Sequence, residues 1–475
     1  MGLWTRKTID QLRASSEEGK LKLRRSLTSL NVIMLGIGCI IGAGLFSITG
    51  IAAAENAGPA IVFSFLIASL GCALAGLCYS ELAAMIPVAG SAYTYVFATL
   101  GELPAWLIGW TLILEYAIGS AAVAISWSAY LISFLHDLGI SLPIQWISSP
   151  WQPVTSNGLQ EFGIINLPAM FIVSVVSVIL ILGIKESALV NALMVIIKVT
   201  VVLLFIFFGF FYINYDNFHP FLPPNTGTFG SFGWSGLLRG AGVLFFAYVG
   251  FDAVSTAAQE VKSPQKSMPI GILGSLFICT VLYVLFSFVM TGLVNYKDLN
   301  VAAPAALAIE QTPLHWLQWL LKVAILAGLT SVMLVLLLGQ SRIFYSMSHD
   351  GLLPPLFSNI HIRYQTPWIS NLFLMAFVGL IAAFCSLEMV GHMTSIGTLM
   401  AFIMVCIGVL ALRYLEPHVP RPFRTPWVPL VPLAGIAICI LMMVSLGIYS
   451  WIRLIVWTAI GIIIYFFYGR YQSKW

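Results

Sequence analysis

Gly36-Ile37-Gly38-Cys39-Ile40-Ile41-Gly42-Ala43-Gly44-Leu45-Phe46 sits in the middle of the first long apolar stretch of the chain, Leu30 to Ala54. That stretch is long enough to cross a bilayer core, which takes about 20 apolar residues. Its glycines at 36, 38, 42 and 44 are a poor recipe for a rigid helix, since each lowers helix propensity by about 1 kcal/mol. In a membrane, backbone released from a helix must find other partners, so it persists only where it lines a cavity or is enclosed by protein. A helix broken at mid-depth shows amide N–H groups on one side of the gap and carbonyls on the other. That pattern suits a small zwitterion.

The rest of the composition agrees with a membrane setting. Hydrophobic residues make up 60% of the chain and charged residues 8%, against about a quarter charged in a soluble domain. The expected class is an all-α polytopic membrane protein. Continuous apolar runs exclude a transmembrane barrel, whose strands alternate over roughly ten residues. No cleavable signal is expected, because a polar, basic segment precedes the first apolar run. The 7 cysteines lie within apolar segments and the 7 histidines are scattered, so neither a disulfide framework nor a metal spacing appears. The net charge of +4 calls for no nucleic-acid partner. No phosphate-cradling P-loop is present, so ATP does not drive this chain directly.

Twelve spans are predicted: 28–53, 59–86, 104–135, 167–184, 190–213, 233–259, 269–294, 316–347, 367–386, 390–413, 427–447 and 451–469. With the N-terminus inside, the inner regions hold 17 of the 22 Lys and Arg residues and the outer regions only Arg239, Lys297, Lys322 and Arg453. The positive-inside rule therefore puts both termini in the cytoplasm. The one remaining cation, Lys198, is assigned to neither side and is left inside the membrane. The basic tail 1–27 reads as a mobile segment held near anionic headgroups.

A second interrupted segment runs Gly240-Ala-Gly-Val-Leu-Phe-Phe-Ala-Tyr-Val-Gly250-Phe-Asp252-Ala-Val-Ser-Thr256, in the sixth span. The first and sixth spans correspond if spans 1–5 and 6–10 are halves of opposite topology. Interrupted segments in matching positions are a sequence pointer to a transporter's substrate site. The plainer alternative is that the glycines only let helices pack closely. Two matched breaks, one beside an aspartate, favour a site.

These two motifs, together with Gly339-Gln-Ser-Arg-Ile-Phe-Tyr-Ser-Met-Ser-His-Asp-Gly-Leu-Leu-Pro-Pro355, resemble bacterial members of the cationic amino acid transporter family, within the amino acid–polyamine–organocation superfamily. The likeness covers about residues 26–470. It implies a 5+5 inverted repeat with broken helices 1 and 6, followed by two extra helices. The corresponding division is a cytoplasmic tail 1–27, a first repeat 28–213, a second repeat 233–413, a final helix pair 427–469 and a cytoplasmic end 470–475.

Three ionisable residues lie well inside the spans: Glu115, Lys198 and Asp252. A charge at the bilayer centre costs at least about 2.5–3.5 kcal/mol on insertion scales, so each needs a partner, a proton or a cavity. Lys198 lies seven residues into span five, roughly 10 Å deep, and such an amine can load and release a proton. The resemblance implies that this lysine rests against the broken first helix, where sodium-coupled relatives hold their ion. Its ammonium would compete with Na⁺, so a proton is the expected coupling ion, with no sodium and no other cofactor. Snorkelling to the headgroups is the competing reading.

The substrate carboxylate is expected at the amides of Gly42, Ala43 and Gly44, beside Ile41, where a half-helix N-terminus favours an anion. The resemblance assigns the ammonium to carbonyls of Ile40, Phe246, Ala247 and Val249, and places Leu336 in the side-chain pocket. Asp252 and Glu115 would serve a cationic side chain if both stay ionised and face that pocket; otherwise the pocket suits small neutral amino acids. Tyr248, Phe246 and Phe251 either pack or gate. Glu81 and the pair Glu260 and Lys262 read as solvated inner helix ends.

The expected function is a secondary active, proton-coupled amino acid importer of the cell membrane. It would work by alternating access, with spans 1, 2, 6 and 7 moving against spans 3, 4, 5, 8, 9 and 10 as the resemblance implies. Its partners would be a small neutral or cationic L-amino acid and the lipid bilayer, with a protein partner left open. An amino acid antiporter or polyamine carrier, a channel or sensor, and an intramembrane enzyme are the alternatives. The last would need a constellation such as H-E-x-x-H or G-x-S-x-G, and neither motif occurs.

Overall fold

The computed structural model describes residues 4–8, 11–12, 27–86, 91–151, 153–156, 159–183, 188–252, 254–255, 258, 261–391 and 395–474. The body is built from helices. Seven helical runs among the described residues are long and apolar enough to cross a membrane, joined by four shorter apolar helices. The first predicted span is divided between Ser29–Ile40 and the run Gly44–Met85, which also takes in the second span, and the sixth, whose helix stops at Leu244, falls in neither group.

Helix α1 (Ser29–Ile40) starts where the Thr28 hydroxyl accepts the Asn31 amide, and stops at Ile41, whose ψ of 100° leaves the helical region. Helical structure resumes at Gly44 as a π-helical turn (Gly44–Ile48), a short α segment (Thr49–Ala52) and a second π-helical turn (Ala53–Ala57). Next come α2 (Ile61–Met85), the short α3 (Ser91–Thr99) and the long α4 (Glu102–Asp137). A hairpin of β1 (Pro153–Ser156) and β2 (Leu159–Phe162), pairing Pro153 with Phe162, fills the following loop. Helices α5 (Leu167–Leu182) and α6 (Ala188–Phe210) complete the first half of the chain.

The second half opens with α7 (Gly233–Leu244), which tightens into a 3₁₀ turn at Phe245–Tyr248 and breaks at Val249 and Gly250. It continues with α8 (Pro264–Leu293), the short α9 (Pro304–Glu310), α10 (His315–His349) and α11 (Trp368–Phe384). Then follow α12 (Leu387–Gly391), α13 (Ile396–Leu415), α14 (Leu430–Ser445) and α15 (Ile448–Ile464). The main packing pairs are α4 with α10, α2 with α8, α1 with α8, and α5 with α11. Side chains on these faces are small, so the backbones approach closely. Thus Gly36 lies against Ser275, and Gly109 against Met347.

Three features depart from the sequence reading. Helix α3 is buried at every position, although its stretch reads as part of a loop; nine residues are too few to show a hydrophobic period. Glu81 is not a solvated helix end: it is 1% exposed and bonded by Arg413 at 2.8 Å, Arg421 at 3.3 Å and the Thr425 amide at 2.7 Å. Of the pair read the same way at the end of span six, Glu260 lies outside the described residues and Lys262 is exposed. Part of the tail is also docked rather than loose. Lys7 pairs with Asp350 and sits 4.6 Å from the centre of the Phe97 ring. Such partners arrive from segments far apart in the chain, where no local pattern announces them.

Ion pairs also tie the other end of the bundle. Lys322 of α10 is fully buried and bonded to Asp137 at the end of α4 (2.6 Å) and to Glu310 of α9 (2.9 Å). The short helix α9 packs over the π-helical turn that follows the first break.

Candidate functional site: two facing helix breaks

The breaks in α1 and α7 touch. A methyl group on Gly250, whose φ is +116°, would come within 2.9 Å of the Cys39 carbonyl oxygen. One on Gly44 would overlap the backbone of Ala247. Glycine is needed at both places: at Gly250 for the positive φ, at Gly44 for the approach of two chains.

Each opened end has its own hydrogen bonds. Lys198 on α6 is 2% exposed and donates to the carbonyls of Gly38 (2.9 Å) and Ile41 (3.4 Å). These oxygens are at the C-terminal end of a half-helix, where partial negative charge gathers and a cation is stabilised. Tyr283 on α8 places its hydroxyl 2.7 Å from the Ile40 carbonyl and 2.9 Å from the Ala247 carbonyl, so a single O–H spans the two breaks. Each carbonyl has two lone pairs and keeps capacity for a further donor. The Phe246 carbonyl accepts the Val249 amide at 3.0 Å. Beyond the gap, the Phe46 carbonyl accepts the Tyr130 hydroxyl, which in turn accepts the Ala305 amide of α9 at 3.3 Å.

On the other side of the first break, the amides of Gly42, Ala43 and Gly44 donate to no backbone carbonyl among the described residues. All three residues are buried. Buried amides without partners are costly, and together at the start of a helical run they form an anion site.

The walls nearby are apolar. Val332 on α10 lies 3.2 Å from the position of a Cβ on Gly42. Phe246 and Leu336 both face Gly119 of α4, at 3.3 and 3.7 Å from the position of its Cβ. Leu336 is 3% exposed and Phe246 6%. Among the residues expected from sequence, Ile40, Ile41, Gly42, Ala43, Gly44, Phe246, Ala247, Val249 and Lys198 thus gather around the two breaks, with Leu336 beside Phe246.

The two carboxylates already have donors within the protein. Asp252 accepts from the hydroxyl of Tyr116, from Ser91 at 3.2 Å and from the Gly250 amide at 3.2 Å. It pins the turn after the second break to α3 and α4. Glu115 accepts from the Gly397 amide (3.0 Å) and Thr398 (3.4 Å), and so faces α13. A small cleft beside it is lined by Thr111, Ile396, Arg453 and Trp457. Sequence reasoning missed Tyr283, Tyr130, Val332 and Gly119. The two tyrosines offered one signal, a polar hydroxyl in the middle of an apolar helix; the other two carry none.

Comparison with known proteins follows the same line. The amino acid permease family profile matches residues 27–468. The methylthioribose transporter of Bacillus subtilis is 41% identical over 99% of this chain and 98% of its own length. The branched-chain amino acid permease BcaP of the same organism is 40% identical over 99% and 98%. Vacuolar cationic amino acid transporter 4 of Arabidopsis thaliana is 37% identical over 87% of this chain and 67% of its own length. These relatives are named as transporters and permeases, which excludes the intramembrane-enzyme alternative. With the profile covering nearly the whole chain and two relatives matching end to end, the protein belongs to the amino acid permease family.

Proposed function

We propose that the protein is a proton-coupled importer of small or branched neutral α-amino acids in the cell membrane, working by alternating access. The observation that carries the substrate class is that both carboxylates already have protein donors: Asp252 takes Tyr116, Ser91 and the Gly250 amide of the second break itself, and Glu115 takes Gly397 and Thr398. These donors satisfy the two acids without a cationic side chain, while Val332, Leu336 and Phe246 present apolar surface. Two relatives named as branched-chain amino acid permeases point the same way, one 40% and one 32% identical.

The α-carboxylate binds the amides of Gly42, Ala43 and Gly44. The ammonium uses the free lone pairs on the carbonyls of Ile40 and Ala247, with those of Phe246 and Val249 beside them. Lys198 carries the coupling proton: charged, it holds the end of α1 through Gly38 and Ile41; neutral, it releases it. Substrate and proton together favour the occluded state, since only differential affinity between states can drive a conformational change. The chain is organised as twelve spans with both termini in the cytoplasm. A 5+5 repeat is supported by the packing of α2 on α8, α4 on α10 and α5 on α11, each a pair five spans apart.

The test is uptake of radiolabelled leucine, alanine and arginine into proteoliposomes under an inward proton gradient without sodium. Leucine or alanine accumulation that collapses with a protonophore is the expected result. Arginine accumulation alone would overturn the substrate class, and exchange without net uptake would overturn the importer. Because one relative is named for methylthioribose, that compound is the competitor to include. Competition by it at lower concentration than leucine would favour a thiosugar as the cargo.

A further inference from the structure

Where α8 begins, a cleft of about 560 Å³ opens on the outside of the bundle. Its floor is Pro269, Ile270, Leu273 and Gly274 of α8, and its opposite wall is Pro422 and Phe423. The wall is a rigid one. Arg421, next to it, is 9% exposed and donates to the carbonyls of Leu412 (3.0 Å), Glu416 (2.8 Å), Pro417 (3.1 Å) and Val419 (2.9 Å). The same guanidinium pairs with Glu81 at 3.3 Å, tying the 416–425 loop to the inner end of α2. The loop is therefore held off α8, and the gap between them is built into the fold.

The mouth is cationic. Lys266 lines it, Lys262 lies four residues earlier, and Arg424 follows Phe423. All three are exposed, and none forms an ion pair among the described residues. Apolar depth with a positive rim, at the point where a spanning helix leaves the membrane, matches one occupant. An acyl chain fits the floor, and an anionic headgroup fits the rim.

We infer that this cleft binds an anionic phospholipid of the inner leaflet, its phosphate at Lys262, Lys266 and Arg424 and an acyl chain along Ile270, Leu273 and Phe423. Juxtamembrane lysines attract anionic lipid strongly enough that two of them account for roughly a tenfold preference or more over a zwitterionic lipid. The lipid lies between α8 and the loop leading to α14, so it braces the inner end of α8 against a segment anchored on α2.

The experiment places the full-length protein in nanodiscs of phosphatidylcholine with equal phosphatidylglycerol. Lipids that remain bound after release from the nanodisc are then counted by native mass spectrometry, alongside thermal unfolding. The wild type retains phosphatidylglycerol over phosphatidylcholine by several-fold and melts higher than in phosphatidylcholine alone. The double variant Lys262→Gln, Lys266→Gln loses that preference and retains the two lipids about equally. Its side chains are exposed, so folding is not at issue. Ile270→Trp fills the floor and lowers retention of both lipids equally. Equal retention by the wild type, or an undiminished preference in the double variant, would overturn the assignment. So would inorganic phosphate alone reproducing the rise in melting temperature, because that would need no acyl chain.

Discussion

At the scale of single residues, Lys198 and three glycines decide how the breaks work. Lys198 offers an ammonium to two carbonyls at the end of α1. Lys198→Met keeps the length of the side chain and removes the charge-assisted bonds, worth about 1.5–3 kcal/mol. Gradient-driven accumulation should then be lost while counterflow exchange persists, measured in the same proteoliposomes. Full concentrative uptake by that variant would remove the lysine from the coupling scheme. The glycines give a graded series. Gly44→Ala places a methyl on the Ala247 backbone, which cannot yield, and uptake should fall at least tenfold. Gly250→Ala adds a positive φ to a close contact and should be as severe. Gly42→Ala meets only the Val332 side chain at 3.2 Å, so it should raise KM several-fold and leave the maximal rate near wild type.

At the scale of elements, the short helix α9 is tied to two long helices through one buried lysine. Lys322 is fully buried, whereas the side chains of Asp137 and Glu310 are 21% and 41% exposed. Removing one partner of a buried pair costs about 3–5 kcal/mol. The lower end applies here, because both carboxylates can regain water. Lys322→Met should therefore lower the melting temperature and loosen α9, seen as faster hydrogen exchange across Pro304–Glu310. Adding Asp137→Asn should recover part of the loss; no recovery would mean that packing, and not charge, holds α9.

The docked tail is a second element-scale device. Burial lowers the pKa of Lys7 from its ordinary 10.5, opposed by Asp350 and Glu102. A docked amine with a depressed pKa binds fewer protons than the same amine in a free tail, so docking is favoured as pH rises through the window below 10.5. Protease cleavage near Lys7 should slow between neutral pH and that window, with Lys7→Gln flattening the profile. An unchanged rate in the wild type would show that the amine's charge does not control docking.

Across the whole molecule, the membrane class, the broken first and sixth spans and Lys198 were legible because each leaves a local mark. An apolar run announces a span, clustered glycines announce weak helix, and a lysine within an apolar run stands out by its cost. The roles of Asp252 and Glu115 were not legible. Both look alike in sequence, as lone acids in apolar helices, and only the approach of α3, α4 and α13 decides which donors meet them. Tyr283 passed unnoticed for the same reason, since its hydroxyl gains meaning only when two breaks 207 residues apart, at Ile40 and Ala247, are brought to it. Glu81 was misread as a solvated helix end, and the tail carrying Lys7 as mobile, because their partners, Arg413 with Arg421 and Asp350, are more than 300 positions away.

By itself, then, the sequence determined what the bilayer demands: where the apolar segments lie, where they fail as helices, and that Lys198 sits deep within one of them. These are properties of single segments, set by hydrophobicity and backbone propensity over a few turns. The tertiary structure decided which carbonyls and amides remain available at the breaks, which acids are already satisfied, and how much room the side-chain pocket keeps. Those depend on distances between segments remote in the chain, and hydrogen bonds and close packing act only over a few ångströms.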